Sequence, residues 1–240
     1  MKKRSLLFAA LILLFCPAFA QDAVLHPEKL SFGETLYEYE RVTGKGSEVF
    51  GTIHERIVLD QEAGTLIISF IQKLPNVTVT DTIIADKRTF VPIKYHSFVP
   101  GIQDILVTYR IPGETVINMN RKVPGYEADT LITEQTNEVL YDYHWPHLIL
   151  YAIRSWEKKD AEINLPVFTY ANKKANQSFY FDKEEILILH GREYKCAVWK
   201  ITSTDPKIEK LYWIDTETNR LVQSKSSLAD GGILWMKLKL

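Results

Sequence analysis

The chain has 240 residues, 46% hydrophobic and 25% charged, with 11 Gly, 10 Pro and 2 Cys, a composition that excludes disorder, collagen and a disulfide-built scaffold. Its formal charge is -1. Without Lys2, Lys3 and Arg4 the 29 basic side chains fall to 26 against 30 acidic ones, or -4, so the balance offers no footprint for nucleic acid.

The first twenty residues have the organisation of an export signal. Lys2, Lys3 and Arg4 form a basic start, Leu6 to Phe15 is an apolar run, and Pro17 precedes the small-residue site Ala18-Phe19-Ala20. Residues 1–20 therefore read as a cleaved secretory signal and 21–240 as one mature domain beginning at Gln21. Cys16 raises the rival reading of a lipoprotein signal, but Phe15 occupies the position where that peptidase needs a small residue. The expected location is the periplasm, with an outer-membrane-associated lipoprotein the disfavoured alternative. The apolar run is shorter than the about 20 residues of a spanning helix, and no later run approaches that length, so no membrane span is expected.

From Gln21 onward, short runs rich in Val, Ile, Thr, Tyr and Phe alternate with Gly, Pro, Asn and Asp, the pattern of antiparallel strands. Strands are predicted at Thr35 to Val42, Glu48 to Asp60, Thr65 to Leu74, Val77 to Ala85, Pro92 to Val99, Ile102 to Ile111 and Thr115 to Val123. In the second, alternation places Val49, Ile53, Ile57 and Leu59 on one face. Thr78, Thr80 and Thr82 should share a solvent face. The pattern breaks between Asn137 and Asp160. There Pro146 suits a first helical turn, and Ile149, Ala152, Ile153 and Trp156 recur at spacings of three and four, which predicts a short amphipathic helix lying on the sheet. Strands resume at Glu162 to Tyr170, Phe179 to Leu189, Glu193 to Thr202, Glu209 to Asp215, Leu221 to Leu228 and Ile233 to Leu240.

Few residues suggest chemistry. The mature chain keeps only Cys196, in the strand-like run Tyr194 to Trp199, where it reads as a small core hydrophobe. His190 is near it in sequence, but no third group is available to orient a nucleophile. His144 and His147 have the spacing of a metal pair with Asp142 close by, yet Pro146 interrupts the interval and further ligands at suitable spacing are missing. No catalytic residue, metal or cofactor is expected, and the protein reads as a non-enzyme.

Two stretches carry a family resemblance. Leu211-Tyr212-Trp213-Ile214-Asp215-Thr216-Glu217-Thr218-Asn219-Arg220-Leu221-Val222, preceded by His190-Gly191-Arg192-Glu193-Tyr194-Lys195-Cys196, is one; Thr89-Phe90-Val91-Pro92-Ile93-Lys94-Tyr95-His96 is the other. They resemble an exported Gram-negative family, the domain of unknown function 3108, which is similar to the LolA and LolB lipoprotein carriers. The resemblance implies a mainly β fold: a single antiparallel, strongly curved sheet wrapped as a half-barrel or partly open barrel, with the short helix packed across it.

In such a barrel the aromatic residues around the helix could fill the interior or line an apolar pocket. Tyr141, Tyr143, Trp145, Ile149, Ile153 and Trp156 are the candidate ligand-binding residues. The expected function is a non-enzymatic binding or carrier module for an apolar or lipid-like ligand in the cell envelope, with an envelope protein as an alternative partner. The competing reading is a structural or accessory interaction protein with a filled core and no ligand.

Overall fold

The computed structural model describes residues 25–110, 113–123, 126–136, 147–156, 162–169, 173–202, 210–228 and 230–240. The first twenty residues thus lie outside the described part. Strands β1 (Gly33–Thr43), β2 (Gly46–Asp60), β3 (Thr65–Leu74), β4 (Val77–Asp86), β5 (Pro92–Val99), β6 (Gln103–Arg110), β7 (Gly113–Val123) and β8 (Tyr126–Thr136) form one antiparallel meander. Helix α1 (His147–Arg154) follows. A second meander contains β9 (Ile163–Thr169), β10 (Lys173–Leu189), β11 (Arg192–Thr202), β12 (Lys210–Asp215), β13 (Leu221–Ser227) and β14 (Ile233–Lys239).

The meanders join where β14 pairs with β1, in a register that sets Tyr37 opposite Leu238 and Tyr39 opposite Met236. One 14-stranded sheet results, with β8 and β9 at its two ends and no closure into a barrel among the described residues. β8 and β9, consecutive in sequence, are therefore farthest apart in the sheet, and α1 lies in the connection that returns the chain from one edge to the other.

The sheet is strongly curved, and one continuous apolar core runs along it. Ile105 on β6 and Phe179 on β10 belong to the same buried cluster, although ten strand intervals separate them. Register slips at Tyr39/Glu40, Ile84/Ala85, Phe181/Lys183 and Trp213/Ile214 add local twist along the way.

Individual turns follow from the residues present. His190 and Gly191 both have positive φ, 52° and 76°, which makes the two-residue β10–β11 connection a tight hairpin of the hand that matches strand twist. Gly51 is required for a different reason: a Cβ there would meet the Lys73 carbonyl oxygen at 2.7 Å, so β3 can approach β2 only over a bare backbone.

Two expectations need correction. β8 falls in a stretch for which no strand was predicted, since Tyr126 to Thr136 is rich in acids and Thr and lacks apolar alternation. Val49 does not share the buried face of Ile53 and Ile57 but is 58% exposed, because the bulge opposite Tyr39 and Glu40 breaks the parity of β2. Helix α1 packs on the sheet as expected but buries more than one face: every described side chain from Leu150 to Ser155 is buried, Arg154 and Ser155 included. The threonine expectation holds, for the opposite face of β4 carries the buried Asp81, Ile83 and Ala85.

Cys196 on β11 is fully buried, as its sequence context suggested, and it is free. Burial first, then the nearby charges of Asp215 and Glu185, push its thiol up to about 12, so it carries almost no thiolate at neutral pH. A water-soluble disulfide reagent is expected to label the native protein far more slowly than the protein in denaturant, and labelling at equal rates would contradict the packing described.

Candidate functional site

Alternation on β2 places Ile53, Glu55 and Ile57 on the concave face, and all three are buried. A carboxylate between two isoleucines needs a counter-charge, because an unpaired buried ion costs several kcal/mol. Arg154, at the end of α1, supplies it. Its Nη1 donates to Glu55 Oε1 at 2.8 Å, with the two side chains 0% and 1% exposed. The Tyr151 hydroxyl donates to the same oxygen at 2.7 Å, and the guanidinium lies over the Tyr151 ring at 5.0 Å from its centre. Burial opposes the Arg154 charge, but Glu55, Tyr37 and Tyr151 outweigh it and hold the guanidinium above its ordinary pKa. Burial and then the Glu55 charge push the Tyr151 and Tyr37 phenols upward.

The second grip on α1 comes from the Asp215-to-Arg220 turn between β12 and β13. Asp215 organises it: its Oδ2 accepts from the Thr218 N–H and hydroxyl, its carbonyl accepts from the Asn219 N–H at 2.8 Å, and its own N–H donates to the Arg220 carbonyl at 2.9 Å. Asn219 has φ of 53°, a conformation that Asn tolerates better than most residues. Its carbonyl thereby receives Arg154 Nε at 2.9 Å. The stretch read as a family motif is therefore a clamp on the helix.

The segment before β1 closes the same end of the half-barrel. The His26 N–H donates to the Ser155 carbonyl at 3.0 Å, Leu25 forms a bridge with Trp156, Asn219 Nδ2 donates to the Lys29 carbonyl at 3.3 Å, and the Ser31 hydroxyl donates to the Thr218 carbonyl. This strap, the helix end and the turn form one hydrogen-bonded unit.

Beside the strap lies an open cleft of about 510 Å³ walled by Leu25, Pro27, Phe32, Leu59 and Leu66 and bordered by Lys87 and Arg88. The two cations belong to the β4–β5 loop. Burial pushes the Asp86 carboxyl up, but the Thr89 and Arg88 N–H groups outweigh it and hold it below its ordinary value. In the same loop Phe90 is buried with φ of 61°. Burying its ring offsets the strain of a left-handed backbone. A second cleft, of about 260 Å³ and more polar, opens where the start of β1 meets β11, the clamp turn and β14.

Of the candidate ligand-binding residues, Ile153 belongs to the buried core and Trp156 is half-buried beside Leu25. Tyr141, Tyr143 and Trp145 fall outside the described residues, as does the side chain of Ile149. His144 and Asp142 also fall outside, and among the described residues no group of three or more His, Cys, Asp and Glu could hold a metal. Sequence reading missed Glu55, Arg154 and the strap. The available signal was an acid on the apolar face of a strand together with a basic residue inside an apolar helical run.

Replacing Arg154 by Met removes the counter-charge of the buried Glu55 side chain, and is expected to lower stability by about 3 to 5 kcal/mol in chemical unfolding. Adding Glu55→Gln should recover much of the loss, since Gln is neutral and still accepts from Tyr151; a double variant no better than the single one would refute the pairing. The raised phenols predict alkaline sensitivity. Above the ordinary tyrosine value of 10.0 the unfolded chain releases protons that folded Tyr37 and Tyr151 retain, so their contribution is complete below that pH and lost as pH rises. Tyrosinate absorbance and loss of near-ultraviolet dichroism should rise together in an alkaline titration.

No curated protein matches the chain. The solved structure of the beta-barrel-like protein of domain of unknown function DUF1849 from Brucella abortus superposes with a TM-score of 0.54 at 9% identity, over 90% of this chain and 97% of that one, and so has a similar fold. Fainter likenesses are the hypothetical lipoprotein YmcC from Escherichia coli K12, with TM-score 0.32, 15% identity and 88% of both chains covered, and a DUF1329 family protein from Desulfovibrio piger, with TM-score 0.27, 6% identity, and 88% and 86% covered. The clamp turn and the Phe90 loop both lie within residues 36–238, which match the model of the family described as protein of unknown function, DUF3108, and the chain belongs to that family.

Proposed function

We propose that the protein is a non-enzymatic binding module of the periplasm, exported by residues 1–20, which takes an apolar or amphiphilic, lipid-like ligand at the mouth of its half-barrel. The observation that carries this reading is the apolar cleft beside the strap. Its volume of about 510 Å³ falls in the range of small-molecule sites, and its walls are mostly aliphatic and aromatic with His26, Glu28 and Gln61 among them. Lys87 and Arg88 offer an amphiphile's anionic head two cations against one lining acid, Glu28. The described side chains of α1 are buried and Arg154 is paired with Glu55, which favours α1 as a permanent plug and ligand binding at the rim.

The buried helix also supports a second reading, an accessory envelope protein without a ligand. The two separate in solution. A fluorescent fatty acid should bind the wild-type chain saturably, and Phe32→Asp should weaken binding by about tenfold or more while leaving the unfolding midpoint unchanged, because Phe32 is 43% exposed and contributes to the cleft more than to the core. Organic extraction of the purified protein should release a copurifying lipid. A wild-type chain that binds no apolar probe and releases none removes the carrier reading and leaves the accessory one.

A further inference from the structure

The smaller cleft has a chemistry of its own. Its basic side chains are Arg192, Arg220 and Lys239, and its acidic ones Glu34 and Asp215. The acids are engaged elsewhere: Glu34 reaches His54 at 3.2 Å and Arg56 at 3.9 Å, and Asp215 Oδ2 holds the clamp turn through Thr218. Lys239 pairs with Glu38 at 2.6 Å. Two guanidiniums remain. Among the described residues neither Arg192 nor Arg220 meets a carboxylate; Arg192 lies instead over the Tyr194 ring, 5.2 Å from its centre. Tyr194 is only 7% exposed, yet its hydroxyl has no hydrogen-bond partner among the described residues, and the same is true of the buried Arg220 Nε.

Buried donors in folded proteins are normally satisfied. The Tyr37 hydroxyl and Arg154 Nη2 are also open, in the core, but the Tyr194 hydroxyl and Arg220 Nε belong to residues that line this cleft, where an acceptor can come from outside. We propose that this cleft binds a small oxyanion, a phosphate or carboxylate group, held by Arg192 and Arg220 with the Tyr194 hydroxyl as a further donor. A guanidinium suits such groups because its planar fork presents parallel N–H donors to two oxygens. The volume of about 260 Å³ admits a single charged group rather than an acyl chain. Leu36, Val222 and Leu238 complete the wall and strengthen the attraction by excluding water. The site stands independently of the apolar cleft. The group could arrive as a free anion or as a lipid head.

Calorimetric titration of the whole chain with inorganic phosphate and, separately, with dihexanoylphosphatidic acid tests the proposal. Saturable binding is expected, with tighter binding of the lipid identifying a head-group site and equal or tighter binding of phosphate identifying a free-anion site. Arg192→Gln, at an exposed position, and Tyr194→Phe, which removes only an unpaired hydroxyl, should each weaken binding by about tenfold with unchanged unfolding midpoints. A hydroxyl that is merely a core defect would leave affinity untouched. The Phe32→Asp chain should bind the anion normally, which separates failure here from failure of the apolar cleft. Absence of saturable binding to either probe, or unchanged affinity in either variant, overturns the site.

Discussion

The buried pair between Arg154 and Glu55 is the constraint around which the rest of the molecule is arranged. A 14-stranded open sheet can curl to many radii, and nothing in its backbone pairing selects one. Filling the concavity with apolar side chains would favour compactness without choosing how the helix is rotated or how deep it sits, because apolar contact is non-directional. A pair that must meet at 2.8 Å, and must leave Nε free for the Asn219 carbonyl, does choose. It ties β2 from the first meander to the clamp turn of the second through a residue of the segment that connects them. Its worth lies in specifying one arrangement, since the desolvation of two ions takes back much of the attraction.

How much of this was legible in the sequence depends on the distance over which each feature is determined. Strands bounded by Gly, Pro, Asn and Asp were readable nearly to the residue: Thr65 to Leu74 and Pro92 to Val99 are the observed β3 and β5. Those signals are local, a turn residue next to an alternating run. β8 escaped because its partner β7 and its place in the sheet determine it, while its own sequence has few apolar residues. Val49 was misplaced for a related reason, since a bulge set by the approach of β1 shifts the parity of every residue beyond it. The site was hardest. Glu55 and Arg154 are 99 positions apart, and no local pattern announces that a strand acid and a helix base will meet.

The Asp215-to-Arg220 turn shows how one short motif serves two sides of a wall. Toward the interior, the positive φ of Asn219 aims a carbonyl at Arg154; toward the exterior, the same turn presents Asp215, Thr218 and Arg220 to the smaller cleft. Asp215 Oδ2 is engaged by Thr218, and among the described residues it makes no ion pair with Arg220. The stretch that carries the family resemblance thus forms the clamp on the helix.

Magnitudes decide where a ligand can enter. Withdrawing α1 to open the centre of the barrel would separate the buried ion pair, at about 3 to 5 kcal/mol. It would also expose Leu150, Tyr151 and Ile153, at about 1.5 to 3 kcal/mol for each large apolar side chain. Together these costs equal or exceed the about 8 kcal/mol that a micromolar ligand supplies on binding. A ligand can shift a conformational equilibrium only by its differential affinity for the two states, so one of ordinary strength would use all of its binding energy to empty the centre. The clefts at the strap and at the clamp turn impose no such cost, because both are open while the helix remains locked. For a ligand of the kind proposed, the described clefts at the rim are therefore the sites of least cost, with the locked helix holding that rim in shape.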